Sequence, residues 1–175
     1  MHNIDFNILH ELLINKRPKL LGNITLSKDN SFEDMTEVMD FLNNLDNSND
    51  KVYRSEIDMI EVHFLQKQNN CPQIIKNISK NLKKFEPFKS RELNVVGFIG
   101  FDNAIGYNWH YDDYHLVAMN IIGNTTWYFK DGSTIEMNPG DLMFVPSPIE
   151  HKVVGTTERF TISFCCLINK NRFTL

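Results

Sequence analysis

The sequence lacks an excess of positive charge, a cysteine framework and a long apolar run, and each absence excludes a class of protein. Its 175 residues carry 18 Lys and Arg against 22 Asp and Glu, a formal net charge of −4, which gives no basis for a nucleic-acid partner. The three cysteines have no metal-ligand spacing and are typical of free thiols in a reducing compartment. No stretch approaches the roughly 18 apolar residues of a membrane span. We therefore expect a cytoplasmic protein without a membrane partner.

The N-terminus lacks the basic and apolar regions of a signal peptide. The chain also lacks a phosphate-binding glycine loop, a nucleophile elbow and zinc-finger spacing. Length and composition are those of an ordinary globular domain, so we predict that residues 1–175 form a single domain. The sequence leaves the oligomeric state open, with a homodimer as one option.

Apolar periodicity divides the chain into a mainly helical part, residues 1–90, and a strand-rich part, residues 91–170. Helices are predicted at residues 6–15, 31–42 (with Ser31 as the N-cap) and 74–82, while 52–66 is ambiguous between strand and helix. Strands are predicted at residues 93–101, 109–122, 125–129, 134–137, 141–145, 151–154 and 159–167. Many short strands with close turn signals predict a mainly β protein, an antiparallel barrel or jelly roll with the N-terminal helices packed outside.

Residues 107–151 carry the most specific pattern in the chain. If residues 109–122 form a strand, its period of two places His110 and Asp112 on one face, with Asn120 further along the same wall. His151 follows a later strand, and a barrel would bring it close. Two histidines and a carboxylate are the facial triad of non-heme Fe(II) enzymes, although Zn and Mn are also admissible. We predict that His110, Asp112 and His151 hold one catalytic metal ion.

The remaining histidines receive no functional role. They are His2, His10, His63 and His115. His115 has the opposite strand parity to His110, so its side chain should face outward, and the same alternation turns Asp113 away from the metal. A His-x-Asp triplet alone is a weak signal. The interpretation depends on its combination with the segment Pro139–Pro146 and the histidine that follows.

These motifs resemble the JmjC-domain and cupin-like 2-oxoglutarate hydroxylases, including the ribosomal oxygenases. The resemblance is carried by His110-Tyr111-Asp112, Asn120, Gly123, Trp127-Tyr128, and Gly140-Asp141 with Met143-Phe144-Val145-Pro146 before His151. It covers roughly residues 93–167 and implies a double-stranded β-helix, with Fe(II) held by His110, Asp112 and His151. The implied reaction is oxidative decarboxylation of 2-oxoglutarate to succinate and CO2, coupled to hydroxylation or N-demethylation. A protein or peptide side chain is the first substrate class, with a small metabolite or a modified nucleobase as alternatives.

The resemblance also implies residues that bind the cosubstrate 2-oxoglutarate. Asn120 matches an amide position beside it, and Tyr107 could donate a hydrogen bond from the strand entrance. Thr125 stands where many relatives carry the lysine that pairs with the far carboxylate. An unpaired buried carboxylate is costly, so we expect Arg159 to replace that lysine. Thr161 and Ser163, on the same strand face, could add hydroxyl donors.

Alternatives stay open at this point. Arg159 could instead be a solvated residue at a strand end, with Lys130 and Lys152 as less favoured replacements for the lysine. The departure at Thr125 supports a metal-dependent cupin enzyme that does not use 2-oxoglutarate, such as an isomerase or a dioxygenase acting on a directly chelated substrate. A non-catalytic binding module is a third possibility, against which the intact His/Asp/His set argues.

Overall fold

The protein folds into two antiparallel β-sheets with helices against one of them. The computed structural model describes residues 4–45, 51–54, 58–64, 71–101, 104, 106–155 and 157–168. Within these residues a 3-10 helix, Phe6–Ile8, precedes the helices α1 (Leu9–Asn15), α2 (Met35–Asn43) and α3 (Gln73–Leu82). The strands are β1 (Lys19–Asn23), β2 (Lys51–Arg54), β3 (Met59–His63), β4 (Leu93–Gly100), β5 (Tyr114–Ile122), β6 (Thr125–Phe129), β7 (Thr134–Met137), β8 (Asp141–Val145), β9 (His151–Gly155) and β10 (Arg159–Leu167).

The two sheets face each other, as in a jelly roll. The larger sheet has the strand order β1-β8-β5-β10-β4-β3-β2, and the smaller has the order β7-β6-β9. Part of the space between them is an apolar cluster, to which β6 contributes Trp127 and Phe129 while β5 and β8 contribute Leu116 and Met143. This arrangement confirms the predicted mainly β, double-stranded β-helix fold.

The helices cover the outer face of the larger sheet. α3 buries Ile75, Ile78 and Leu82 completely, in the same cluster as Phe160 and Phe164 of β10. Because strand side chains alternate between faces, these aromatic residues point to the helices while their neighbours point to the smaller sheet. The prediction that the helices pack outside is confirmed. None of the described helices is both long and apolar enough to cross a lipid bilayer.

The first ninety residues contain strands that the helical interpretation missed. β1 pairs with β8 at one edge of the larger sheet, and β2 and β3 form an antiparallel pair that joins β4. The ambiguous segment 52–66 therefore contains strand, although its residues 55–57 and 65–66 lie outside the described residues. Sheet pairing overrides local propensity here. The single-domain assignment stays a prediction.

Two predicted boundaries were wrong. Asp34, not Ser31, caps α2, since its carboxylate accepts a hydrogen bond from the Glu37 backbone amide at 3.0 Å. β5 begins at Tyr114 rather than at residue 109. Before it, His110 makes only an isolated antiparallel bridge with His151.

Candidate metal centre

The backbone brings His110, Asp112 and His151 together. The His110 amide donates to the His151 carbonyl at 3.0 Å, and the His151 amide donates to the His110 carbonyl at 2.8 Å. The hydroxyl of Ser147 donates to the Asp112 carbonyl at 2.5 Å. The candidate ligand atoms of the three side chains lie within 4.8 Å of one another, and Nε2 of His151 is 3.7 Å from Oδ2 of Asp112. The predicted triad is therefore one possible metal site.

Both imidazoles are held in the tautomer that a metal requires. Nδ1 of His110 lies 2.7 Å from the Asn108 carbonyl oxygen, and Nδ1 of His151 lies 2.8 Å from that of Ile149. A carbonyl oxygen only accepts hydrogen bonds, so each Nδ1 carries the proton and donates it. Each Nε2 then keeps a lone pair, as in metal-ligating histidines whose second nitrogen is held by an outer partner.

Packing keeps the His151 ring neutral and in place. Its side chain is buried, and burial lowers its pKa despite the opposing contributions of the Ile149 carbonyl and Asp112. The ring stacks on Trp127 with a centroid distance of 5.1 Å. A neutral imidazole is the form that coordinates a metal, so the donor set fits a divalent ion of the first transition row.

Tyr114 lies beside the carboxylate of the triad. Burial, followed by the nearby Cys165 thiol and Asp112, raises its pKa far above the usual range. The hydroxyl therefore stays protonated and is a candidate donor that orients Asp112.

The triad opens into a cavity of about 320 Å³ between the two sheets. Side chains of β3, β4, β5 and β10 form one wall, and Trp127, His151 and Val153 form part of the other. The polar and charged lining residues beyond the triad are Glu61, His63, Asn94, Tyr107, Tyr114, Arg159, Thr161 and Ser163. The predicted alternation thus holds for β10, which turns Arg159, Thr161 and Ser163 towards the cavity.

Arg159 is a buried cation in this wall. Only 2% of the residue is exposed, so the alternative of a solvated strand end is wrong. Its guanidinium donates to the carbonyls of Gly155 (3.4 Å) and Ala104 (3.3 Å) and contacts the Met59 sulfur at 3.5 Å. Within the described part of the chain no carboxylate lies within ion-pair distance of it, and burial alone lowers its pKa. The contacts that Arg159 makes with described residues are long and neutral, so within that part of the chain most of its charge is not compensated.

Glycines make room for the guanidinium. A Cβ added at Gly155 would lie 2.5 Å from Cδ of Arg159, and one added at Gly100 would lie 3.1 Å from its Cζ. Any side chain at Gly155 would therefore displace the arginine. The packing around Arg159 is built for an extended, inward-pointing cation.

Asn120 and Thr125 lie behind the cavity wall. Both are buried, and neither lines the cavity. The Asn120 amide donates to the Met137 carbonyl (2.8 Å) and to the Thr125 hydroxyl (3.0 Å), while its oxygen accepts from Thr161 at 3.0 Å. Through these hydrogen bonds Asn120 and Thr125 hold the Thr161 side chain in place. Their predicted contact with a cosubstrate remains a prediction.

The other predicted residues divide between cavity and surface. Tyr107 lines the cavity with its ring centroid 5.5 Å from that of His110. Lys130 and Lys152 lie outside, where their ammonium groups are 4.5 and 5.6 Å from the centre of the Trp109 ring. The lysines are therefore not placed to bind a ligand near the triad.

Two histidines differ from expectation. His115 faces away from the triad, but it is buried rather than outward in solvent, with Nδ1 accepting from the Ser147 amide at 3.0 Å. Burial, with a smaller contribution from Arg91, lowers its pKa to about 4. His63, which received no role, lines the cavity beside Glu61. The alternation from Met59 to His63 was the available signal, but it could not be interpreted while that segment remained ambiguous.

Comparison with known proteins supplies the fold type. No protein-family model and no curated protein sequence matches the chain. Among solved structures, ribosomal oxygenase YcfD from Escherichia coli superposes with a TM-score of 0.70 and 12% identity, over 97% of this chain and 53% of that one. The chain has a cupin-like fold. It spans about half the length of YcfD.

Two further structures superpose on the chain less well. YcfD in complex with cobalt and succinic acid superposes with a TM-score of 0.56 and 15% identity, over 97% of this chain and 54% of that one. An RmlC-like cupin from Shewanella frigidimarina reaches a TM-score of 0.48 and 16% identity, over 74% of this chain and 96% of that one.

Proposed function

We propose that the protein is an Fe(II)- and 2-oxoglutarate-dependent dioxygenase of the JmjC-like hydroxylase type. One observation carries the proposal: a three-ligand metal centre and a buried arginine without a carboxylate partner among the described residues line the same cavity. A divalent metal bound by three side chains keeps open positions for exogenous ligands. A buried guanidinium pairs well with a carboxylate. Together they select a small acid that binds the metal through one end and the arginine through the other.

Strand β9 relates the two anchors. His151 begins the strand, Val153 lines the cavity, and the carbonyl of Gly155 accepts from Arg159. Four residues of extended chain span roughly 13 Å. A metal–nitrogen bond of about 2 Å and a guanidinium–carboxylate contact of about 3 Å would take up part of this distance. A five-carbon dicarboxylate such as 2-oxoglutarate suits that separation, with Thr161 and Tyr107 beside it.

The proposed reaction balances as 2-oxoglutarate, O2 and a substrate C–H giving succinate, CO2 and a substrate C–OH. His110, Asp112 and His151 would hold the iron, which supplies the redox chemistry that couples the two oxidations. Tyr114 orients Asp112, and Arg159 holds the far carboxylate in a site that excludes water. On a methylated nitrogen the same hydroxylation would lead to demethylation.

The comparisons support the ligand classes. YcfD, which shares the fold, has been crystallised with cobalt and succinic acid, a divalent metal and the dicarboxylate product of this chemistry. This chain spans about half of YcfD, and the cavity volume of about 320 Å³ lies at the small end of ligand sites. The substrate class is therefore proposed from the resemblance of the motifs alone: a protein or peptide side chain, with a small molecule as the alternative.

Succinate formation tests the proposal. Chelator-treated protein would be reloaded with Fe(II), supplied with 2-oxoglutarate and ascorbate, and assayed for succinate and oxygen uptake. We expect iron-dependent succinate above the level of the Asp112→Ala variant, because uncoupled turnover needs no substrate. Absence of succinate from protein that binds Fe(II) and 2-oxoglutarate, assayed with broad peptide and metabolite mixtures, would contradict it.

A second candidate is a metal-dependent cupin enzyme that does not use 2-oxoglutarate. Thr125 favours it. This residue is buried behind the wall and stands where the 2-oxoglutarate hydroxylases that the motifs resemble carry a lysine for the far carboxylate. In that case Arg159 and the metal would bind an acidic substrate directly. Metal-dependent binding of other acids, without succinate formation, would favour this candidate. Metal binding without turnover of any acid would favour a binding module.

A further inference from the structure

Three glycines surround the guanidinium of Arg159. Gly100 is its cross-strand partner in the larger sheet, and Gly155 ends β9 in the smaller sheet. A Cβ added at Gly155 would lie 2.7 Å from Nη1 and 3.0 Å from Nε of the arginine, and one at Gly100 would lie 3.3 Å from Nη1. A Cβ at Gly106 would lie 3.3 Å from Nη2. The cation therefore passes between the two sheets where neither places a side chain.

The open side of this guanidinium is the cavity. Its Nη2 atom is covered by the Ala104 carbonyl at 3.3 Å and by the Met59 sulfur at 3.5 Å. Arg159 lines the cavity, whereas Gly100 and Gly155 lie behind it and do not. A group added at either glycine would therefore push the guanidinium into the cavity, because packed atoms occupy the other sides.

The depth of the guanidinium sets the length of any acid that bridges it and the metal. Backbone hydrogen bonds between His110 and His151 fix the metal end, so the gap changes when Arg159 moves. A C–C bond is about 1.5 Å long, so one methylene changes the reach of an acid by about the same amount as a small shift of the arginine. A carboxylate that misses the guanidinium is buried without a partner, which is costly.

We propose that Gly155 and Gly100 are specificity-determining residues, which keep Arg159 at the depth that a five-carbon diacid reaches from the metal. The choice of 2-oxoglutarate as that acid rests on the proposed function. Carbon atoms in contact are about 3.5 Å apart or more, and a Cβ at Gly155 would lie 2.5 Å from Cδ of Arg159. The arginine must then shift by about 1 Å. At Gly100 the approach is 3.1 Å, to Cζ, so the shift is about half as large.

Binding of 2-hydroxy diacids of different length tests the inference. Malate, 2-hydroxyglutarate and 2-hydroxyadipate have four, five and six carbons, and each can chelate a metal through one end. The monoacid 2-hydroxyvalerate lacks the far carboxylate. Dissociation constants would be measured by calorimetry on the full chain loaded with Mn(II). We expect the five-carbon diacid to bind at least ten-fold more tightly than the other three acids, as for one charge-assisted hydrogen bond.

Gly155→Ala should move the preference towards the shorter diacid. Because the added methyl group pushes the guanidinium into the cavity, the dissociation constant of malate relative to that of 2-hydroxyglutarate should fall at least ten-fold. Gly100→Ala should change this ratio in the same direction by a smaller factor, about three-fold. Its milder overlap makes Gly100→Ala the deciding variant if Gly155→Ala folds poorly or loses its metal.

A glycine on the opposite face of β4 provides the matched control. A Cβ at Gly97 would lie 2.7 Å from the Phe160 ring and 2.8 Å from the Phe64 ring, in the core beneath the helices. Gly97→Ala should therefore lower the melting temperature without changing the ratio, and an equal change of ratio in this control overturns the inference. So does an unchanged ratio in the metal-loaded Gly155 and Gly100 variants. Equal loss of all three diacids to the level of the monoacid also overturns it, because the arginine would then have left the site.

The inference and the proposed function fail in different ways. Length-selective binding that the glycine variants shift, without succinate formation by the unaltered protein, would leave the inference standing and remove the oxygenase proposal. Succinate formation by a protein whose glycine variants keep the original length preference would do the reverse.

Discussion

The two faces of strand β10 have opposite chemistry. Its outer face carries Phe160, Ile162 and Phe164, all fully buried against the helical layer. Its inner face carries Arg159, Thr161 and Ser163, which line the cavity. One strand therefore contributes to the core and to the candidate site through side chains on opposite faces of the sheet. Substitutions on one face should change stability, and substitutions on the other should change ligand binding.

The largest expected effect is on the cavity side. Asp112→Ala removes the carboxylate of the triad, so bound metal and turnover should fall to background, while the melting temperature of the metal-free protein changes little. Metal content by elemental analysis and succinate formation measure this. Asp113→Ala, at the exposed neighbouring residue, should retain both. Full activity of the Asp112 variant would refute the ligand assignment.

On the helical side, Phe164→Ala should have the largest effect on stability. Phe164 is completely buried, and truncating such a ring costs about 3–5 kcal/mol. Urea unfolding of the metal-free protein measures the loss. The folded fraction should bind metal as tightly as the unaltered protein, and weaker metal binding would show that the two faces are coupled.

Arg159→Met should separate function from stability. Loss of a charge-assisted bond to the far carboxylate, about 1.5–3 kcal/mol, should raise the KM for 2-oxoglutarate ten-fold or more. Stability should stay equal or rise, because the variant removes a buried charge that has no carboxylate partner among the described residues. Succinate kinetics and urea unfolding measure the two quantities, with Arg17→Met, an exposed arginine, as the control. An unchanged KM would show that another residue binds the far carboxylate.

Tyr114→Phe should have a smaller effect confined to the metal. Without the hydroxyl that lies near Asp112, metal affinity should fall about ten-fold, the lower end for an outer-sphere contact. Titration with Co(II) measures it, and Tyr111→Phe, whose ring is exposed, is the matched control. Equal affinity in both variants would leave Tyr114 a packing residue only.

Acid should act on stability and not on the ligand site. His115 has its pKa lowered to about 4 by burial, whereas in the unfolded chain it is near 6.5. Between these values the unfolded state binds the proton and the folded state does not, so stability should fall as pH drops from 6.5 to 4. His115→Gln should flatten this part of the pH profile, measured by urea unfolding. An identical profile would assign the acid sensitivity to other groups.

The sequence predicts those residues of the candidate site that can be found from their spacing along the chain. His110 and Asp112 were found from their separation, and His151 from its place after a β-strand, although residues 109–113 do not form the strand assumed. The resemblance assigned Arg159 to the site, and alternation along β10 correctly placed Thr161 and Ser163 on the same face. Glu61 and His63 were missed because their segment could be a helix or a strand. Asn120 was predicted from strand alternation and Thr125 from the resemblance, but both lie behind the cavity wall, which neither signal can distinguish.

By itself the sequence determined the strand pattern of the second half, the helical outer layer and the identity of the candidate ligands, because periodicity and local spacing depend only on neighbouring residues. The tertiary structure alone decided three further features: the pairing of β1, β2 and β3 with distant strands, the burial of Arg159 among glycines, and the placing of Glu61 in the cavity. Each of these depends on contacts between residues far apart in the chain. Such contacts form only when the whole sheet assembles, so no local window of sequence contains them.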